Sequence, residues 1–207
     1  MKLTVKSGNH NKVHIYIDGE YRMTVDGDYW FSEKWHKLSD IDEEELTALT
    51  GAVSFRRAFN AGMNLLSYRA HGKKELVNKL VSKKYDRASA EKAVERLEEL
   101  KLINDSDFAD MLTRHLSEKK GYSEKRIIQE LLSRGIDRET AENAVLTLDK
   151  NPEVRIIELI KSKYSRYLGD EKGRKKVFNA LLRLGYSYSD INSALRRFEE
   201  EQGEDYV

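Results

Sequence analysis

No cysteine occurs among the 207 residues. That absence removes disulfides, cysteine–zinc sites and the thiol nucleophile together, and it fits a reducing compartment. Proline appears once, against an average near 5%, as expected of a chain that is mostly helix. No stretch approaches the roughly 18 apolar residues of a membrane span, and the first residues lack the apolar segment of a signal peptide. A cytoplasmic protein with no membrane partner is therefore expected. The twelve glycines stand one at a time and form no phosphate-cradling loop. Serine has no nucleophile elbow around it. Of the histidines at 10, 14, 36, 71 and 115, only His10 and His14 share an i, i+4 spacing, and they flank a polar turn with no acidic third ligand. The chain reads as a non-enzyme without cofactor or metal.

What is abundant is charge: 35% of residues are Asp, Glu, Lys or Arg, and mean hydropathy is −0.71. Each folding unit must then have a thin core and a heavily solvated outside. The charge is segregated. Residues 1–57 carry 8 Lys+Arg against 10 Asp+Glu, residues 58–198 carry 29 against 21, and residues 199–207 hold five acids and no base. A basic middle between acidic ends can face nucleic acid or an acidic protein groove, although lysine and arginine also serve simply to solvate helices.

The first 52 residues read as a β extension. Val13–Ile17 and Tyr21–Val25 alternate around Asp18-Gly19-Glu20, a hairpin signal because glycine accepts the positive φ of such turns. Leu3–Val5 supplies a third strand, and Asp40–Glu43 resembles a capping box opening a short helix through Leu49.

From Val53 the pattern is helical and repeats. Laying Leu76–Glu98 over Ile127–Asp149 and Val177–Glu199 without gaps puts apolar residues in all three copies at nine columns. They are 76/127/177, 77/128/178, 80/131/181, 81/132/182, 85/136/186, 90/141/191, 93/144/194, 94/145/195 and 97/148/198. Chance would give roughly one or two such columns at this apolar content. The punctuation repeats too. Gly135 and Gly185 stand where a helix end wants a left-handed residue, with Asp86, Asp137 and Ser187 placed to cap the next helix. Asn151-Pro152 opens the third unit, with proline where its missing N–H costs nothing.

The expected fold is mainly α: a small N-terminal antiparallel sheet and short helix (1–52), then a tandem array of three three-helix repeats (53–104, 105–150 and 151–201) and an acidic tail (202–207). The expected helices are Phe55–Tyr68, Lys73–Lys84 and Ala88–Leu100; Asp107–Lys119, Ser123–Arg134 and Arg138–Asp149; and Pro152–Arg166, Lys172–Leu184 and Ser189–Glu201. Asp105 or Ser106 is placed to cap the helix near Asp107. The tail has a composition typical of disorder.

Particular residues resemble a known family. Leu65-Leu66-Ser67-x-Arg69 followed by Glu75-Leu76-x3-Leu80 resembles the opening repeat of the RecX family of bacterial recombination regulators. Leu102-Ile103-Asn104-Asp105-x2-Phe108-Ala109 is similar to that family's junction between first and second repeats. Gly121-x4-Arg126-Ile127-x3-Leu131-x3-Gly135-Ile136 is similar to its second-repeat signature. The likeness is close over residues 55–148 and looser in the third repeat. Gly72 departs from it, standing where the family more often has Ser or Thr, which weakens the N-cap of the following helix. The resemblance implies binding in the groove of the RecA–DNA filament and inhibition of its recombinase and coprotease activities, with no bond chemistry, by a chain expected to be monomeric.

Two surfaces are candidates for that contact. The third repeat is the most basic, with 11 Lys+Arg against 5 acids over residues 151–198. Lys172, Arg174, Lys175 and Lys176 cluster there, and Arg166, Arg174 and Arg183 interleave with Tyr164, Tyr167, Tyr186 and Tyr188, as a protein or nucleic-acid contact would use them. Tyr186 falls in a core column and is set aside. The second patch is Lys73, Lys74, Lys83, Lys84 and Arg87, echoed by Lys119, Lys120, Lys125, Arg134 and Arg138. Arg69 and Arg126 can either tie helices together or reach a partner. The alternative function is a helical-repeat protein that binds single- or double-stranded DNA directly, although the interleaved acids argue against a dominant phosphate footprint.

Overall fold

Asp18 and Gly19 both take positive φ, 50° and 85°, the geometry that turns a two-residue hairpin tightly. They fold β2 (Lys12–Ile17) onto β3 (Glu20–Asp26), and β1 (Leu3–Gly8) pairs with the other edge of β2, giving an antiparallel sheet in the order β1-β2-β3. The computed structural model describes residues 1–148 and 151–204, with only the backbone at 203 and 204. Alternation along β2 turns Val13, Ile15 and Ile17 inward and leaves His14 and Tyr16 on the other face. Next come α1 (Gly27–Ser32), a 3₁₀ turn (Lys34–Lys37) and α2 (Glu43–Tyr68).

Two sequence expectations change here. The capping box lies two residues further on. Asp42 Oδ1 accepts from the Glu45 amide at 2.7 Å and Glu45 Oε2 accepts from the Asp42 amide at 3.2 Å, because Asp40 is engaged in a bridge with Lys2 and Ile41 is buried with its amide donating to the Met1 carbonyl. The short helix and the helix expected from Phe55 are one 26-residue helix. Leu49, Val53, Ala58 and Gly62 are its buried positions, and Gly51 sits where nothing presses on it, so nothing breaks the helix there. The division expected between residues 52 and 53 falls inside it.

The remaining helices are α3 (Lys73–Ser82), α4 (Arg87–Glu99), α5 (Asp105–His115), α6 (Glu124–Ser133), α7 (Arg138–Val145), α8 (Pro152–Leu159), α9 (Glu171–Arg183) and α10 (Tyr188–Glu204). The fold is mainly helical with an N-terminal three-stranded sheet. Asp86, Asp137 and Ser187 do cap α4, α7 and α10, accepting from the amides of Ser89, Thr140 and Asp190 at 2.8, 2.9 and 3.1 Å. Asn104, in place of Asp105 or Ser106, caps α5. α5 and α8 each run on into a π-helical turn, Leu116–Lys120 and Ile160–Tyr164. α10 continues to Glu204, past the expected start of the tail. Residues 205–207 of that tail, and Asp149 and Lys150 at the expected end of the second repeat, lie outside the described residues.

The chain divides into two compact units, residues 1–68 with 77–99, and residues 69–76 with 100–207. In the first, the inner face of the sheet packs with Trp30, Trp35, Ile41, Leu49 and Val53, and α4 lies against α2. The second has one core under α5–α7 around Ile127 and Leu131, and another under α8–α10 around Val177 and Leu181. Columns 76/127/177, 80/131/181, 90/141/191, 93/144/194 and 94/145/195 are buried in all three repeats. Columns 77/128/178 and 81/132/182 only flank the buried stripe, and Leu182 is 40% exposed.

Candidate partner-binding site

Repeat 3 differs from repeat 2 in the stretch leading to its middle helix. After the π turn ends at Tyr164, a 3₁₀ turn (Ser165–Tyr167) and Leu168–Asp170 intervene before α9. Asp170 caps α9 by accepting from the Gly173 amide. Gly173 is needed because a methyl group there would run into the Tyr167 carbonyl oxygen. This close approach brings Arg166, Tyr167, Lys172 and Lys176 around one shallow cavity of about 330 Å³, with Asp170 as its only carboxylate lining. The Arg166 guanidinium lies 4.9 Å from the centre of the Tyr167 ring. Arg183 is seven residues beyond Lys176, two helical turns along the same exposed side of α9.

The other predicted cations of this patch are engaged. Lys175 pairs with Glu171 at 2.7 Å on the exposed surface, and Arg174 turns towards α10 to meet Glu199 at 3.2 Å. Glu201, counted in sequence as part of the acidic end, takes Lys161 at 2.9 Å and Arg197 at 3.4 Å. The hydrogen bond from Lys161 holds its carboxyl below the ordinary value. The acids of α10 thus neutralise one side of the third repeat and leave Lys172, Lys176 and Arg183 without a carboxylate among the described residues. On the other flank of the buried Val177–Leu181 stripe, roughly 120° round α9, stand Leu182 and the edge-to-face pair Phe178–Tyr188, with ring centres 4.9 Å apart and Tyr188 68% exposed. Sequence reading placed Phe178 and Leu182 in core columns and so missed them. Their i+1 and i+5 offsets from the buried residues were the available signal.

The second patch is not one surface within either unit. Lys73 and Lys74 belong to the second unit, and Lys83, Lys84 and Arg87 to the first. Arg87 pairs with Glu91 at 3.3 Å. Lys84 takes the left-handed conformation (φ 72°) that glycine takes at the aligned positions 135 and 185. Lys119 and Lys120 sit exposed on the π turn after α5, with the Lys119 carbonyl accepting from Lys163 at 3.4 Å. Lys125 borders a separate cavity of about 240 Å³ with Arg155 and Tyr186. Arg138 pairs with Glu142 at 3.0 Å.

Arg69, Arg126 and Arg134 are joints. The first turn of α3 meets the α6–α7 turn: Lys74's stem covers Gly135, and the amide of Lys73 donates to Asp105 Oδ1 at 2.8 Å. Asp105 thereby supplies the oxygen that Gly72 cannot. Glu75 gathers Arg69 at 2.7 Å, His71 at 3.0 Å and Arg134 at 3.3 Å. Burial would raise its carboxyl, but the hydrogen bonds from Arg69 and His71 outweigh it, and the group is held below its ordinary value. The second joint repeats this geometry at α6. The Ser123 amide donates to the Leu184 carbonyl at 2.9 Å, and Gly185 lies against Ser123 and Arg126. Arg126 also pairs with Glu130 and faces the Tyr122 ring. Arg155, which the sequence did not single out, crosses this joint by donating to Ser117 Oγ and the Tyr122 carbonyl, both at 2.8 Å.

Residues 58–97 match the family model described as the first three-helix domain of RecX, and residues 104–145 match the second. A Finegoldia magna protein named Regulatory protein RecX is 30% identical over 164 residues, covering 75% of this chain and 78% of its own length. The chain belongs to the RecX family. A RecX relative from Clostridioides difficile is 28% identical over 95% of this chain and 93% of its own length, and one from Bacillus subtilis is 24% identical over 99% and 78%. Both extend the likeness through the N-terminal sheet and the third repeat. A crystal structure of regulatory protein RecX shares the fold at TM-score 0.65 and 20% identity, covering 94% of this chain and 98% of that one. RecX from Lactobacillus salivarius superposes at TM-score 0.59 with 28% identity over 72% and 98%. Both RecX domain models end before Asn151, so the cavity on α9 lies outside them.

Proposed function

We propose that this RecX-family chain restrains the RecA recombinase by occupying the groove of the RecA–DNA filament, with the α9 side of the third repeat as its main contact. One observation carries the reading: Lys172, Lys176 and Arg183 form an exposed cationic row beside Arg166 and Tyr167, while the neighbouring cations Arg174 and Lys175 are already paired. Cations beside a half-exposed aromatic are what a contact surface for an acidic protein groove uses. Small repeats that each touch their own partner subunit would gain avidity from modest contacts. The mechanism is occlusion, with no bond made or broken.

The test is RecA's single-stranded-DNA-dependent ATPase, titrated with the chain at two salt concentrations. Inhibition well below one molecule per RecA is expected. A Lys172→Glu, Lys176→Glu, Arg183→Glu variant with unchanged helicity should need at least tenfold more protein. Full inhibition by that variant would move the contact elsewhere. No inhibition by the wild-type chain, together with salt-sensitive binding to bare DNA, would favour direct action on DNA.

A further inference from the structure

The outer face of the N-terminal sheet has a different chemistry from the rest of its unit. Cross-strand partners share a face, so Thr4, Tyr16 and Tyr21 stand in one row and Lys6, His14 and Thr24 in the next. These residues point away from buried Val13, Ile15 and Ile17. Tyr21 is 57% exposed, yet its ring is fixed on three sides. It lies edge-to-face with Tyr16 and His14, at 5.9 and 6.3 Å between centres, and its hydroxyl shares a 3.0 Å hydrogen bond with Thr24 Oγ1, which also contacts His14 Nδ1 at 2.6 Å. Lys6 Nζ stands 4.7 Å over the Tyr16 ring. An aromatic ring held rigid with an open face costs little entropy when something stacks on it.

Around the β3 edge the same face runs into a cavity of about 210 Å³ lined by Lys12, Thr24, Asp26, Tyr29, Arg56 and Arg57, among others. Arg57 reaches the Thr24 carbonyl and Arg56 lies over the Tyr29 ring. The cations Lys6, Lys12, Arg22, Arg56 and Arg57 thus border the aromatics, against Glu20 and Asp26, which pair with Arg22 at 3.9 Å and Lys12 at 3.0 Å. Residues 1–57 are net acidic; five of their ten acids lie at Asp40–Glu45, where Asp42 and Glu45 cap α2, and Glu33 stands near Tyr29.

We infer that this face is a binding platform for single-stranded DNA, a base stacking on Tyr21 and the adjoining phosphates meeting Lys6, Arg56 and the β3 edge. Stacking aromatics beside a cationic groove is the arrangement that holds single strands without reading sequence. The choice of DNA over RNA rests on the proposed placement of the chain beside a DNA filament. The platform itself does not.

The experiment measures fluorescence anisotropy of a labelled oligo-dT with the full-length chain and no RecA present, so that it reads this site whether or not the filament reading holds. Tyr21→Ala should weaken binding about 5- to 150-fold, the worth of one stacked base, while Tyr21→Phe stays within about twofold of wild type. Arg56→Glu, on the exposed surface of α2, should flatten the salt dependence by about 0.7 in log–log slope for each phosphate no longer neutralised. Undiminished binding by both Tyr21→Ala and Arg56→Glu would overturn the proposal. So would tighter binding of oligo-U than of oligo-dT. If Tyr21→Ala fails to fold, Arg56→Glu and Lys6→Glu decide alone.

Discussion

Glu75 shows how one carboxylate can serve a helix start, a repeat joint and a buried histidine together. It is 15% exposed and receives Arg69, His71 and Arg134. Because its folded-state proton affinity is lowered, its contribution is fully present above its ordinary value of 4.5 and is lost as pH falls through the lower folded value. Glu75→Gln should cost about 1–3 kcal/mol at neutral pH, less than the roughly 3–5 of a fully buried broken pair because Arg69 is half exposed. The gap between thermal melts of the two proteins should begin to close as pH falls below 4.5; a gap that stays constant from neutral to strongly acid pH would show that Glu75 acts by shape and not by charge. The sequence made Arg69 legible as a tie to a nearby carboxylate. It could not show that Asp105 caps α3 in place of Gly72, since that contact joins residues 32 positions apart.

At the scale of the element, the apolar columns sort into two kinds, and the helices show why. Residues four apart stay on one face of a helix, whereas their i+1 neighbours sit about 100° round. Leu131 is therefore fully buried, and Leu182, one position off the stripe, is 40% exposed. Leu131→Ala should destabilise by about 2–5 kcal/mol, and Leu182→Ala by well under 1 kcal/mol, both read by chemical denaturation. Equal losses would show the register to be wrong. Strand positions, hairpin turn and most caps were legible because local chemistry decides them. The fusion of two expected helices into α2 was not, since the expected short helix stopped at Leu49 and the next pattern began at Val53, whereas both residues are buried in one core on a single continuous helix.

For the whole molecule, two surfaces of unlike chemistry divide the proposed work. The sheet offers fixed aromatic rings edged by cations, and α9 offers a cationic row with the single ring of Tyr167 at its start. The two defects should dissociate: Tyr21→Ala weakens oligonucleotide binding yet inhibits the RecA ATPase as wild type does, and the α9 charge reversal weakens inhibition while binding the oligonucleotide as wild type does. A single substitution set that abolished both at constant helicity would mean one shared surface. Net charge hid both sites from composition, because the acids that balance the chain are engaged in caps and in α10 pairs such as Glu199 with Arg174.

The joints also say how such a chain can change length by duplication. The second repeat carries both halves of a joint, a helix start that inserts (Ser123–Arg126) and a turn that receives (Arg134–Ile136). The helix start of the third repeat is filled by its own chain, with the Tyr167 carbonyl against Gly173. A duplicated middle unit would find a complementary neighbour on each side at once. One added beyond α10 would find no seat until residues 165–170 were deleted.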